Sequence, residues 1–250
     1  MEPKYIFCTR HYLTFLGIAI LILGMISACI LPSIAALVTN TPTVSGNTLP
    51  VSIPTSTGIK LTLVPTKGLH APVNLTTMGD PNATVKIDAW EDFQCPACKQ
   101  YSETIEPQVL QNYVETGKVF YTFHFFPFLD GGKGESHQAA YAAMCAAEQG
   151  HFWDYHDMLF ANWLGENAGS FTDARLTAIA SAVNLDMNSF TQCYQTGKYA
   201  AQVEQDYQAG GTQGVQGTPS VFVNGTLLTP GYIPSYNDIA QAVDAALAGH

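Results

Sequence analysis

The residue types best placed to do chemistry are two cysteines in the run Cys95-Pro96-Ala97-Cys98. A thiolate attacks a disulfide sulfur, and a second thiol held within one helical turn can reach back and displace it, so this spacing suits thiol–disulfide exchange. Such chemistry needs a sulfur that ionises near neutral pH. A free cysteine titrates near ~8.5. One at a helix N-terminus meets unpaired backbone N–H groups and the positive end of the helix dipole, and falls to roughly 3.5–7.5. The elements this requires flank the pair: a β-prone run, TVKIDA, leads into WEDFQCPAC, and helical spacing begins at Pro96. Proline suits a first helical turn because it has no N–H to lose there. Cys95 is expected to be the exposed attacking thiolate and Cys98 the more buried resolving thiol.

Two other readings of the pair compete. A structural zinc site wants four ligands, usually from a second CxxC or a spaced His pair. No second CxxC exists; Cys145 and Cys193 stand alone, and His151 and His156 lie far down the chain among aromatics, so no metal is expected. An inert disulfide across so short a loop would constrain the unfolded chain little.

Around the pair the chain reads as alternating elements. The spacing of Tyr101, Ile105, Val109, Leu110 and Tyr113 predicts a helix from Pro96 to about Glu115, kinked at Pro107. Gly117 ends it, and VFYTFHFF over 119–126 is the next strand. Helices are predicted over 135–149, 151–162, 172–183, 186–196 and 198–208, the last closed by Gly210-Gly211. Thr172, Asp173, Asn184 and Asp186 stand at N-cap positions. The strand SVFVNG, the short run LLTPGY and a terminal amphipathic helix over 237–247 follow. The order predicts a small α/β sheet interrupted by an all-helical insertion.

The chain has 250 residues, of which 47% are hydrophobic and 12% charged, which excludes a disordered or coiled-coil protein. A net charge of -10 leaves no electrostatic reason to hold a nucleic-acid backbone. Lys4 and Arg10 precede a charge-free apolar run from Tyr12 to Leu31, long enough to span a bilayer as a helix or to serve as an export signal. Within it, Ile26-Ser27-Ala28-Cys29 resembles the lipobox of bacterial lipoprotein signals, which would make Cys29 a lipidation site; Ile30 and Leu31 suit an uncleaved anchor as well. Either way residues beyond about 40 are expected outside the cytoplasmic membrane, on a Thr/Pro/Ser-rich tether.

Four segments in chain order, GDPNATVKIDAWEDFQCPACKQY, VETGKVFYTFHFFPF, AAEQGHFWDYHDMLF and GVQGTPSVFVNG, resemble the thioredoxin superfamily and, within it, the DsbA-like disulfide oxidoreductases. The resemblance runs from about Gly79 to the C-terminus. It implies a thioredoxin fold at 71–129 and 208–250 with a helical insertion at 130–207; the apolar run and the tether before it are read from their own residues as a signal or anchor at 1–38 and a linker at 39–70. It also implies that Cys95 is the nucleophile and Cys98 the resolving cysteine. Pro219 would be cis and face them, and Thr218 would offer backbone groups to an extended substrate. Ala97 stands where the best-known members have His, so a milder redox potential is expected. No cofactor is implied. The partners would be exported proteins with thiols or disulfides, and a quinone-coupled membrane protein that reoxidises the pair.

In an oxidising compartment Cys145 and Cys193 are expected to pair, as similar cysteines do in some DsbA-like proteins, with an ideal stabilisation of roughly 4 kcal/mol for the segment they close; two buried free thiols are the alternative. Glu91 and Asp92 read either as a proton acceptor for Cys98 or as a solvated acidic pair. Trp90 and Phe93 read as packing beneath the site, and His124 as a satisfied core residue. The activity expected is disulfide formation. A reductase or isomerase, a metal-delivery module on the CxxC pair and a peptide-binding holdase beside Pro219 are the alternatives.

Overall fold

The computed structural model describes residues 58–65, 70–130 and 134–249. The apolar N-terminal run, Cys29 and most of the expected linker lie outside them. Among the described residues no helix is long and apolar enough to cross a membrane.

Two strands organise the molecule. In β3 (Val85–Glu91) and β4 (Val119–Phe125), alternate residues are buried: Val85, Ile87 and Ala89 on one strand, Val119, Tyr121, Phe123 and Phe125 on the other. They pair in parallel, Val85 opposite Val119 and Glu91 opposite Phe125. A parallel pair needs a crossover, which α1 (Pro96–Thr104), α2 (Glu106–Val109) and a π-helical turn (Leu110–Val114) supply. The expected kink is a break at Ile105, just before the Glu106-Pro107 step, where proline cannot continue the hydrogen-bond ladder.

The sheet is completed by two-residue strands at either edge. Its order is β1 (Val73–Asn74), β2 (Thr77–Met78), β4, β3, β5 (Ser220–Val223), β6 (Thr226–Leu227). β5 runs antiparallel to β3, with Ser220 opposite Trp90, so the chain entering β5 lies beside the chain leaving β3. Gly79, which follows β2, has φ +107, and a Cβ there would meet the Val119 carbonyl oxygen at 2.5 Å. The terminal helix α8 (Tyr236–Ala248) starts at a Ser235/Asp238 capping box and packs Ile239 and Val243 into the core.

Between β4 and β5 come α3 (Glu135–Ala147), α4 (Phe152–Ala161), α5 (Asp173–Ala182), α6 (Met187–Gln195) and α7 (Ala200–Thr212). Asp186 caps α6 by accepting from the Ser189 N–H, whereas Asn184 sits in a turn with φ +60. Phe152 and Phe160 of α4 pack on Phe123 and Phe93, so α4 forms core with the sheet as well as with the other helices. The expectation that Gly210-Gly211 closes α7 is corrected: the helix runs on to Thr212. A Cβ at Gly210 would lie 2.7 Å from Trp90 and 2.8 Å from Phe126, so glycine is there for close packing, not to end the helix. Cys145 on α3 and Cys193 on α6 are joined by a disulfide.

Candidate active site

Strand β3 delivers the chain to the site. Past Glu91 it turns, and Cys95 occupies the N-cap of α1 with extended backbone and no side-chain cap bond, Pro96 following in the first turn. The sulfur takes the place a capping oxygen normally fills, facing open backbone N–H groups. Its thiol is lowered to about 7. The Cys98 thiol, donating to the Cys95 sulfur, is the main cause; burial opposes it, and the Thr218 side chain and the main-chain N–H groups of Cys98 and Ala97 add to it. The Cys98 thiol is pushed far the other way, first by complete burial, then by Cys95 and by the charge of Glu91. Both are free thiols in this structure.

One expectation is corrected. Cys95 is not exposed: it retains 6% of its accessible surface against 0% for Cys98. The turn before β5 lies beside it. The Thr218–Pro219 peptide is cis, and the Cys95 thiol donates to the Thr218 carbonyl oxygen at 3.3 Å. Cys95, Cys98, Thr218 and Pro219 thus meet at one place.

Glu91 and Asp92 are not a solvated pair either; they are 1% and 2% exposed. Asp92 is a tie. Its carboxylate accepts from the N–H groups of Gln94, Phe128 and Leu129 and from the Ser136 hydroxyl, joining the active-site loop to the start of α3. Burial raises its titration while those four donors hold it down. Glu91 instead lies on the inward face of β3 and acts on Cys98. Trp90, on the opposite face, stacks on His124 with ring centroids 4.2 Å apart, and Phe93 packs against Phe123.

Gln94 and Glu106 went unread in the sequence, and His156 entered it only as a zinc ligand paired with His151. Gln94 is fully buried; its carbonyl accepts from the Trp163 indole N–H and its side chain bonds Asn167 and Ser136, so it pins the 163–167 loop beside Cys95. Nothing in a polar residue before a CxxC signals this. Glu106 and His156 lie with Glu91 in the core, one side-chain donor atom of each within 4.8 Å of the others. The group has the residue types of a cation site. However, a cation held by three such ligands needs a fourth position, and the rings of Phe93, Phe123, Phe152 and Phe160 pack round the imidazole. Its chemistry fits protons better than a metal.

A near-neutral thiol at a helix start, a buried partner thiol behind it and a cis-proline turn across from it, on a parallel-centred α/β sheet, define a DsbA-like thiol:disulfide oxidoreductase. The chain belongs to the thioredoxin family, whose model, described as Thioredoxin, matches residues 73–245. It is 28% identical over 173 residues to the "Probable disulfide bond formation protein D" of Bacillus anthracis, covering 68% of this chain and 77% of that one. It is 27% identical over 186 residues to the "Disulfide bond formation protein D" of Bacillus subtilis (69% and 77% covered). The crystal structure of oxidised BdbD from Bacillus subtilis superposes with a TM-score of 0.63 at 24% identity, over 70% of this chain and 94% of that one, a likeness of fold.

Proposed function

We propose that this chain forms disulfides in exported proteins, working on the outer side of the cytoplasmic membrane through Cys95 and Cys98. The observation that carries the reading is the pair's asymmetry: Cys95 brought to about 7 at the helix start, Cys98 fully buried with its thiol pushed up. A substrate thiolate attacks the Cys95 sulfur of the Cys95–Cys98 disulfide, and Cys98 leaves. A second substrate thiolate then displaces Cys95, releasing the substrate disulfide and the reduced pair. Thr218 and Pro219 bind the substrate backbone as an added strand beside Cys95. The Cys145–Cys193 bridge is structural and suits an oxidising compartment. The apolar N-terminal run, with or without lipid on Cys29, tethers the enzyme, and a quinone-coupled membrane protein reoxidises it. The names of the Bacillus relatives support the direction of the reaction.

Strong dithiol oxidants bring the attacking thiol down to roughly 3.5, stabilising the reduced form. Cys95 at about 7, with Ala97 in the spacer, gains less, which points to a milder oxidant and gives the reductase or isomerase reading its one support. Equilibrating the pair with a glutathione buffer separates the two. A potential at or above that of the extracytoplasmic pool is expected; one far below the glutathione couple would assign the protein to reduction.

A further inference from the structure

Cys98 sits at 0% exposure, yet thiol–disulfide exchange requires its sulfur to gain a proton in one direction and lose it in the other. A thiolate left unprotonated in that surrounding is costly, so the proton has to come and go through the protein. The polar groups behind it make a line. Glu91, on the inward face of β3, acts electrostatically on Cys98. Its carboxylate, that of Glu106 on α2 and the imidazole of His156 on α4 cluster within 4.8 Å. His156 Nε2 faces Glu106 Oε1 at 3.9 Å, and Nδ1 bonds the Asp157 carboxylate at 2.9 Å. The Asp157 side chain is 12% exposed and lines a cavity of about 320 Å³ together with His151, Asp154 and Leu63. Polar groups thus continue from the buried sulfur to a second opening, lined by residues other than those that meet at Cys95.

We propose that Glu91, Glu106, His156 and Asp157 form a proton path between Cys98 and this cavity, with Glu106, His156 and Asp157 as positioning residues for the exchange. The inference rests on the dithiol activity proposed above. As substrate thiolate bonds to Cys95, the electron pair of the Cys95–Cys98 bond leaves on Cys98, which takes a proton from the Glu91 carboxyl. Glu91 is recharged through Glu106 from His156 Nε2–H, while Nδ1 takes up a proton from the Asp157 side and Asp157 takes one from water in the cavity. One solvent proton ends on Cys98, and the two electrons come from the substrate's thiols. Reoxidation runs the path in reverse. An imidazole suits the central position because it takes up a proton on one nitrogen and releases one from the other. Separations near 4 Å are crossed through a bridging water or a small side-chain shift. The other titratable groups facing the cluster are Tyr121 of β4, which donates to Glu106, and Tyr101 of α1, which bonds Tyr121; burial first, then the two carboxylates for Tyr101, and the Tyr101 phenol followed by the carboxylates for Tyr121, keep both phenols protonated.

Asp157→Asn cuts the path at its solvent end while leaving the aromatic core intact. With the full chain, oxidised and mixed rapidly with a dithiol peptide, the variant should lose at least about tenfold in the rate of Cys95–Cys98 opening. Added imidazole buffer should restore that rate without affecting the parent protein, and the pH profile of Cys95 alkylation in the reduced variant should match the parent's. A rate equal to the parent's, or a slowed rate that imidazole does not lift, overturns the path. Stoichiometric zinc uptake by the reduced protein that Glu106→Gln abolishes overturns it too. A parent protein that oxidises no peptide removes the dithiol activity and the path together; a competent parent matched by Asp157→Asn removes the path alone.

Discussion

The Cys95 sulfur lies 3.3 Å from the carbonyl oxygen of Thr218, a residue 123 positions further along the chain. That contact exists because β5 runs antiparallel to β3 with Ser220 opposite Trp90, which sets the turn before β5 against the residues that follow β3. A substrate strand bound along the Thr218 backbone would therefore reach the sulfur directly.

The Cys98 thiol is the largest single cause of the low Cys95 titration, and the Thr218 side chain is a smaller one. Alkylation of the reduced protein across a pH series should show Cys95 reacting with a midpoint near 7. Cys98→Ala should move that midpoint up toward the ~8.5 of an ordinary thiol, and Thr218→Val should move it less. If Thr218→Val shifted the midpoint more than Cys98→Ala, the order of causes would be wrong.

His124 is held between Asp206 and Asp88 at 3.2 and 3.0 Å, and Asp206 also accepts from the Phe125 N–H, tying α7 to β4. Burial pulls the imidazole down, but the two carboxylates override it and raise it to about 9. The folded value exceeds the unfolded one near ~6.5, so the stabilisation is complete below that pH and is lost as pH climbs through about 9. It amounts to about 3 kcal/mol at most. Urea unfolding of the oxidised protein, in which Cys95 does not titrate, should weaken between pH 6.5 and 9 in the parent. His124→Gln should flatten that dependence, and an equal slope in both proteins would remove the assignment.

The Cys145–Cys193 bridge ties α3 to α6 across 48 positions of sequence. Replacing both cysteines with alanine should cost about 2–4 kcal/mol in chemical unfolding and leave Cys95 alkylation unchanged. Unaltered unfolding would mean that packing alone holds the two helices.

Gly210→Ala is expected to destabilise by about 1–3 kcal/mol even though alanine is the better helix former, because the added methyl meets Trp90 and Phe126 below 3 Å. A calorimetric scan showing stabilisation would mean that the two rings yield.

The central strands and the CxxC helix start were legible in the chain. VFYTFHF alternates cleanly, and Pro96 marks the turn into α1. The edge strands were not, since two residues carry no period. Ending β3 at Ala89 hid the parity that places Glu91 on the same face as Val85, Ile87 and Ala89, which is why a solvated acid stood beside a proton acceptor as its reading. Gly210-Gly211 looked like a helix stop because the rings that demand a bare backbone there are distant in sequence. The exposure of Cys95 depended on a turn that arrives only with β5. Glu106 and His156 carry no mutual signal across fifty positions; only the packing of α4 on the sheet brings them to Glu91.

The most direct test of the whole account is to mix the oxidised full-length protein with an excess of dithiol peptide and count products. One peptide disulfide formed per Cys95–Cys98 pair reduced is predicted, with Cys95→Ser forming none. Peptide oxidation that persists in Cys95→Ser, or a parent pair that stays oxidised, would contradict it.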